Sequence, residues 1–139
     1  MLKRILLMAG LFVSISAFAA PITAENIVGR YLVVASVPFQ TVNINFRVLN
    51  SKEFEIERLN DDGSPEETCN GTFKINAGEK VFMGIFTCPS DRSKDVDFDI
   101  DFNGKTTDDL VKGTTVTVKT SLAPMKIKAT VKKVSNFPF

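Results

Sequence analysis

Four aspartates at alternate positions, Asp95, Asp97, Asp99 and Asp101 in the stretch DVDFDIDFNG, are the densest run of metal-capable side chains in the sequence. The chemistry they raise is calcium binding. Calcium takes six to eight oxygens wrapped around it at about 2.3 to 2.6 Å. Alternate residues of a strand project from one face roughly 6.7 Å apart, so a straight row of carboxylates does not converge on an ion. Asp99, Asp101, Asn103 and Gly104 do occupy the first, third, fifth and sixth places of an EF-hand loop. The twelfth place, however, holds Leu110 where a bidentate Glu is required. Val96, Phe98, Ile100 and Phe102 alternate with the acids throughout, which marks the wet face of a β-strand. Neighbouring carboxylates at that spacing in water repel by only about 0.6 kcal/mol before salt screening. No metal site is expected.

Catalytic chemistry has little to work with. The chain contains no His, so Ser-His and Cys-His nucleophilic pairs are absent. Paired carboxylates occur only along wet strand faces, where nothing separates one pKa from another. The expectation is a protein that is not an enzyme and uses no cofactor.

The compartment is written in the first residues. Lys3 and Arg4 precede an apolar run from Ile5 to Ile15 and the small-residue triplet Ala17-Phe18-Ala19, the order of a secretory signal peptide. Residues 1–19 are read as that signal and residues 20–139 as one domain, secreted or periplasmic. The apolar run is too short to span a bilayer as a helix, which takes about 20 residues, and no later segment comes closer. Lys3 and Arg4 leave with the signal, so the remainder holds fifteen Lys and Arg against sixteen Asp and Glu. A near-neutral total argues against nucleic acid or an anionic membrane as the main partner. Cys69 and Cys88 are the only cysteines, and an even count in an oxidising compartment reads as a disulfide.

From Ile27 onward the hydrophobic pattern has period two, the mark of an all-β chain. The runs are Ile27 to Val37, Val42 to Leu49, Glu53 to Leu59, Cys69 to Asn76, Lys80 to Cys88, the acidic row, Thr114 to Ser121, and Met125 to Val134. A two-residue turn at Gly78-Glu79 places Cys69 opposite Cys88, Gly71 opposite Phe86 and Phe73 opposite Gly84. Only Gly104 to Gly113 leaves room for a helical turn, with Thr107 as its N-cap. Eight sequential strands on short connections predict a single antiparallel up-and-down barrel, because closure removes both sheet edges.

Period two leaves open which way the apolar face looks. The ending Phe137-Pro138-Phe139 is like that of outer-membrane barrels, but Trp is absent and Tyr31 is the only Tyr, so aromatic girdles are missing. The inward-facing solution is preferred. Tyr31, Phe46, Phe54, Phe82, Phe86 and Phe98 then line an interior that is either filled or open to one small apolar ligand. Val81, Met83 and Ile85 point outward and offer a patch for a protein partner, as does the acidic loop Asp61 to Glu67. Such a surface would suit a binding or inhibitory module without a cavity, as in small disulfide-bearing inhibitors of proteases and lysozyme.

GRYLVVAS, Gly29 to Ser36, resembles the first-strand signature of the lipocalin family, G-x-W-Y-x-x-A-S, at Gly29, Ala35 and Ser36, with Tyr31 standing at the Trp. Thr107-Asp108-Asp109 lies where the family carries T-D-Y, and the Arg that packs over the Trp falls at Lys132 or Lys133. The resemblance implies an eight-stranded calycin barrel whose open end takes a small apolar molecule.

Overall fold

Alternating side chains need a sheet that is dry on one face, and eight strands meet that need by closing on themselves. The computed structural model describes residues 20–139, so residues 1–19, read from the sequence as a signal peptide, lie outside the described residues. The strands are β1 (Gly29–Val37), β2 (Gln40–Val48), β3 (Glu53–Leu59), β4 (Pro65–Asn76), β5 (Val81–Cys88), β6 (Asp91–Asp101), β7 (Thr114–Thr120) and β8 (Ile127–Ser135). Each pairs antiparallel with its chain neighbours, and β8 returns to pair with β1, so the barrel is closed. One short helix, α1 (Thr107–Lys112), interrupts the meander between β6 and β7.

The apolar face looks inward. Phe46, Phe54, Phe73, Phe82, Phe98 and Phe102 are buried and Phe86 is half-buried. The outer wall carries Asp95, Asp97, Asp99 and Asp101 on β6 and Lys126, Lys128 and Lys132 in or beside β8, all exposed. A membrane barrel would show lipid a continuous apolar band instead. Among the described residues no helix is long and apolar enough to cross a membrane.

Strand ends shift by a few residues, most at β4, which begins at Pro65 and so takes Pro65 to Glu67 out of the expected acidic loop Asp61 to Glu67; two connections differ for local reasons. The β4–β5 connection is four residues wide, Ala77 to Lys80, and the left-handed residue is Lys80 (φ 54°) rather than Gly78. Asn76 closes it by accepting the Lys80 N–H at its carbonyl and the Gly78 N–H at its side chain. The register is unchanged, Gly71 opposite Phe86 and Phe73 opposite Gly84, because widening a hairpin loop symmetrically moves no partners. At α1 the N-cap is Thr106, not Thr107. Asp109 reaches back to accept the Thr106 N–H at 2.8 Å, half of a capping box.

One end of the barrel is plugged. Residues 20–28 and α1 lie at the end where β1, β3, β5 and β7 begin, and they insert Ile22, Ile27 and Leu110, all buried, beside Phe102. Pro21 bridges to Thr106, tying the two plugging segments together. Among the described residues the other end is formed by connections between strands, with no segment laid across it.

Candidate functional site

Two glycines decide how the phenylalanines share the interior. Phe54, Gly71 and Phe86 lie in one cross-strand row on β3, β4 and β5; Phe73, Gly84 and Phe98 lie in another on β4, β5 and β6. A Cβ on Gly84 would sit 2.6 Å from the Phe98 ring, and one on Gly71 would sit 2.5 Å from the Phe54 ring. The rings therefore fold over bare backbone and crowd toward β3–β6. There Phe46 stacks on Phe54 (centroids 5.2 Å apart), Phe73 stacks on Phe82 (4.6 Å), and Phe98 meets Phe54 edge-on at 5.6 Å. Offset-stacked and edge-on pairs of this kind add about 0.5 to 1.5 kcal/mol each beyond the area they bury.

Rings drawn to one side leave space on the other. A cavity of about 200 Å³ remains, walled by β1, β2, β7 and β8 through Val33, Ala35, Ile44, Val118 and Ala129 and on its far side by Phe46, Phe86 and Phe98. Its floor is Ile27, Tyr31, Phe82 and Phe102, all buried, while Leu122 at its top is 72 % exposed. The cavity thus opens at the unplugged end. β6 pairs with β7 only over Phe98–Asp101, which notches the mouth between upper β6 and the β7–β8 connection.

The chemistry of the lining is nearly uniform. Among the described residues the only polar lining group besides Thr120 is the Tyr31 hydroxyl, and it donates to the Ile27 carbonyl at 2.6 Å. Burial pushes that phenol well above the usual tyrosine range, so it stays neutral. No charged side chain among the described residues lines the cavity. An apolar hole of about 150 Å³ suffices to bind benzene, whereas drug-sized ligands take roughly 300 Å³ or more. The space suits a single ring or the end of an alkyl chain whose head remains in the mouth.

Of the residues read from the sequence as pocket, Tyr31, Phe46, Phe82, Phe86 and Phe98 do line it. Phe54 does not: it is among the most deeply buried side chains, stacked on Phe46 in the filled half. The aliphatic wall of β1, β7 and β8 was missed. Its small and branched residues carry no aromatic signal, and only the imbalance of Phe between β2–β6 and the remaining strands could have revealed it.

Cys69 and Cys88 form the disulfide, joining β4 to the mouth end of β5. Glu67, one inward position further up β4, accepts from the Ser90 hydroxyl at 3.0 Å and so ties β4 to the β5–β6 connection. Met83 and Ile85 are 40 % and 43 % exposed on the outer wall, with Val81 half-buried beside them. Their cross-strand neighbours are Lys74 and Thr72 on β4 and Asp99 and Asp97 on β6, so the apolar stripe is one strand wide. The aspartates form the expected row along exposed β6; the Asp101 carboxylate accepts the Asn103 N–H at 2.8 Å. Comparison of this chain with models of protein families, with curated proteins and with solved structures finds no match.

Proposed function

We propose that the protein is an exported, non-enzymatic carrier that holds a small apolar molecule inside a lipocalin-like barrel. The observation that carries this reading is the apolar cavity of about 200 Å³, floored at the plugged end and open at the other. A barrel needed only for its own stability gains by filling such a space, because each unfilled cubic ångström of cavity costs about 24 cal/mol. A lining whose one titratable group, the Tyr31 phenol, is held neutral supports binding over catalysis. Support for the lipocalin resemblance comes from Lys133, which lies over the Tyr31 ring as the family's last-strand Arg lies over its Trp. The disulfide supports folding in an oxidising compartment.

The competing reading, a module acting through its outer wall, would rest on Met83 and Ile85. It is the weaker of the two, since charged or polar residues on both neighbouring strands interrupt the patch. Titration of the purified protein with medium-chain fatty acids, monocyclic aromatics and a polarity-sensitive dye tests the carrier reading. Saturable binding at a stoichiometry of one is expected. Failure of every apolar probe to bind would overturn it.

A further inference from the structure

Phe39 is both strained and wasted on the folded chain. It is the second residue of the Pro38-Phe39 connection between β1 and β2, its backbone sits at φ 70°, and its side chain is 108 % exposed. A positive φ directly after proline is the third place of a type II turn, where Gly or Asn is ordinary. Backbone held this way at no internal gain points to an outside contact. Leu122 and Met125, 72 % and 62 % exposed, stand in the β7–β8 connection. Because β1 pairs with both β2 and β8, the two connections are neighbours at the mouth. Leu122 also lines the cavity, so the apolar rim formed by these two connections includes one residue of the cavity wall.

Charge around the mouth is divided between the two halves of the barrel. Residues 29–52 and 113–139, which hold β1, β2, β7 and β8, carry two Arg and six Lys and no Asp or Glu. Residues 53–101, which hold β3 to β6, carry thirteen Asp and Glu against five Lys and Arg. The β1–β8 pairing joins the two acid-free segments into one continuous half of the barrel. The near-zero total therefore conceals a basic half and an acidic half. Lys126 and Lys128 stand exposed beside Met125 at the mouth, and Lys128 has Ser36 and Thr117 as its cross-strand neighbours, so no acid faces it. The acidic residues at the mouth end, Asp61 and Asp62 of the β3–β4 connection, Glu66 and Glu67 of β4, and Asp91 and Asp95 of β6, all belong to the other half.

We propose that the barrel docks by the basic side of its mouth on an anionic lipid bilayer, with Phe39, Leu122 and Met125 entering the acyl boundary and Lys126 and Lys128 at the headgroups. An apolar edge flanked by lysines is the pattern that binds such interfaces, and a nucleic acid would have no use for the apolar part. The docking stands on the rim and the charge. It rests on the carrier reading only for what passes through the mouth, which would be an apolar molecule dissolved in the bilayer.

Co-sedimentation with vesicles tests it, using phosphatidylcholine alone and phosphatidylcholine mixed equally with phosphatidylglycerol. Binding is expected to the mixed vesicles only and to weaken as salt is raised. Lys126→Gln with Lys128→Gln should lower the partition coefficient on the order of 30-fold, at roughly fivefold for each lysine. Phe39→Asn should lower it too while leaving the melting temperature no lower, since Asn accepts the turn geometry. No binding to mixed vesicles, or equal binding to both kinds, would overturn the proposal. So would retention on duplex DNA as strong as on mixed vesicles and unaffected by Phe39→Asn, which would mark a generic polyanion surface. Titration with the dye and fatty acids in buffer without vesicles separates the two readings. Probe binding without vesicle binding removes the docking alone, and vesicle binding without probe binding removes the carrier alone.

Discussion

The Lys133 ammonium lies 5.7 Å from the centroid of the Tyr31 ring, directly across the β1–β8 seam that closes the barrel. Burial lowers the pKa of Lys133 and raises that of Tyr31. Above about pH 10 the unfolded chain loses its tyrosine proton while the folded one keeps it, so this group's stabilising contribution is lost as pH rises. Lys133 acts in the opposite direction, because between its lowered folded pKa and about 10.5 the unfolded state binds more protons, and stability rises. Lys133→Met should therefore show a steeper alkaline loss of stability than the parent, and Tyr31→Phe a shallower one. Urea midpoints measured across pH 8 to 11 check both, a range set roughly by the reference pKa values.

Gly84 is held open for the Phe98 ring. Gly84→Ala would set a methyl 2.6 Å from that ring and 3.1 Å from Phe82, and overpacking of this kind costs about 1 to 3 kcal/mol. Phe98→Leu frees the space, so the double variant should be more stable than the two single losses added together. Denaturant unfolding of the full cycle measures the coupling.

The disulfide closes a loop across the β4–β5 hairpin, its cysteines standing nineteen positions apart in sequence. Replacing both by Ser should destabilise by about 3 kcal/mol in the chain-entropy picture, or on the order of 10 °C in Tm for a domain of this size. The circular-dichroism spectrum should be unchanged, because the register of the hairpin is set by its strands.

Ala35 lines the cavity and is half-buried on β1. Ala35→Phe should fill the space, abolish binding of apolar probes and leave stability equal or higher. The expected pair of results, lost binding with retained Tm, distinguishes filling a hole from damaging the fold. Phe46→Ala, in contrast, should cost about 3 to 5 kcal/mol, since that ring is buried against three others.

Asp97, Asp99 and Asp101 stand exposed along one straight strand, and changing all three to Asn should leave the fold intact. Millimolar calcium should move the Tm of neither form. A native-state site at a hundredfold excess of calcium would add about 2.7 kcal/mol, a shift of several degrees that thermal melts would readily show.

Much of the architecture was legible in the residues because strand alternation and hairpin register are local. β3 spans Glu53–Leu59 as its pattern required, and the pairing of Gly71 with Phe86 follows from hairpin geometry alone. The errors are local as well. Asn76 can close a four-residue turn as readily as Gly78-Glu79 can close a two-residue one, and Thr106 and Thr107 offer the same hydroxyl one position apart. Phe54 was indistinguishable from Phe46 in sequence, since both face inward on adjacent strands; which of them borders empty space depends on where the other rings go.

By itself the sequence determined that the apolar face would be continuous, that eight strands would follow in order, and that the two cysteines would meet. Those follow from period two, short connections and the register of one hairpin. Only the tertiary structure decided that the interior is filled on one side and empty on the other, because Gly71 and Gly84 matter solely through rings delivered from neighbouring strands. Only the closure of β8 onto β1 decided that the two acid-free segments, 29–52 and 113–139, form one basic half and that the connections carrying Phe39 and Leu122 with Met125 stand side by side at the mouth. Charge and hydrophobicity are summed along a sequence, but what a partner meets is their arrangement across strands that chain order alone keeps far apart.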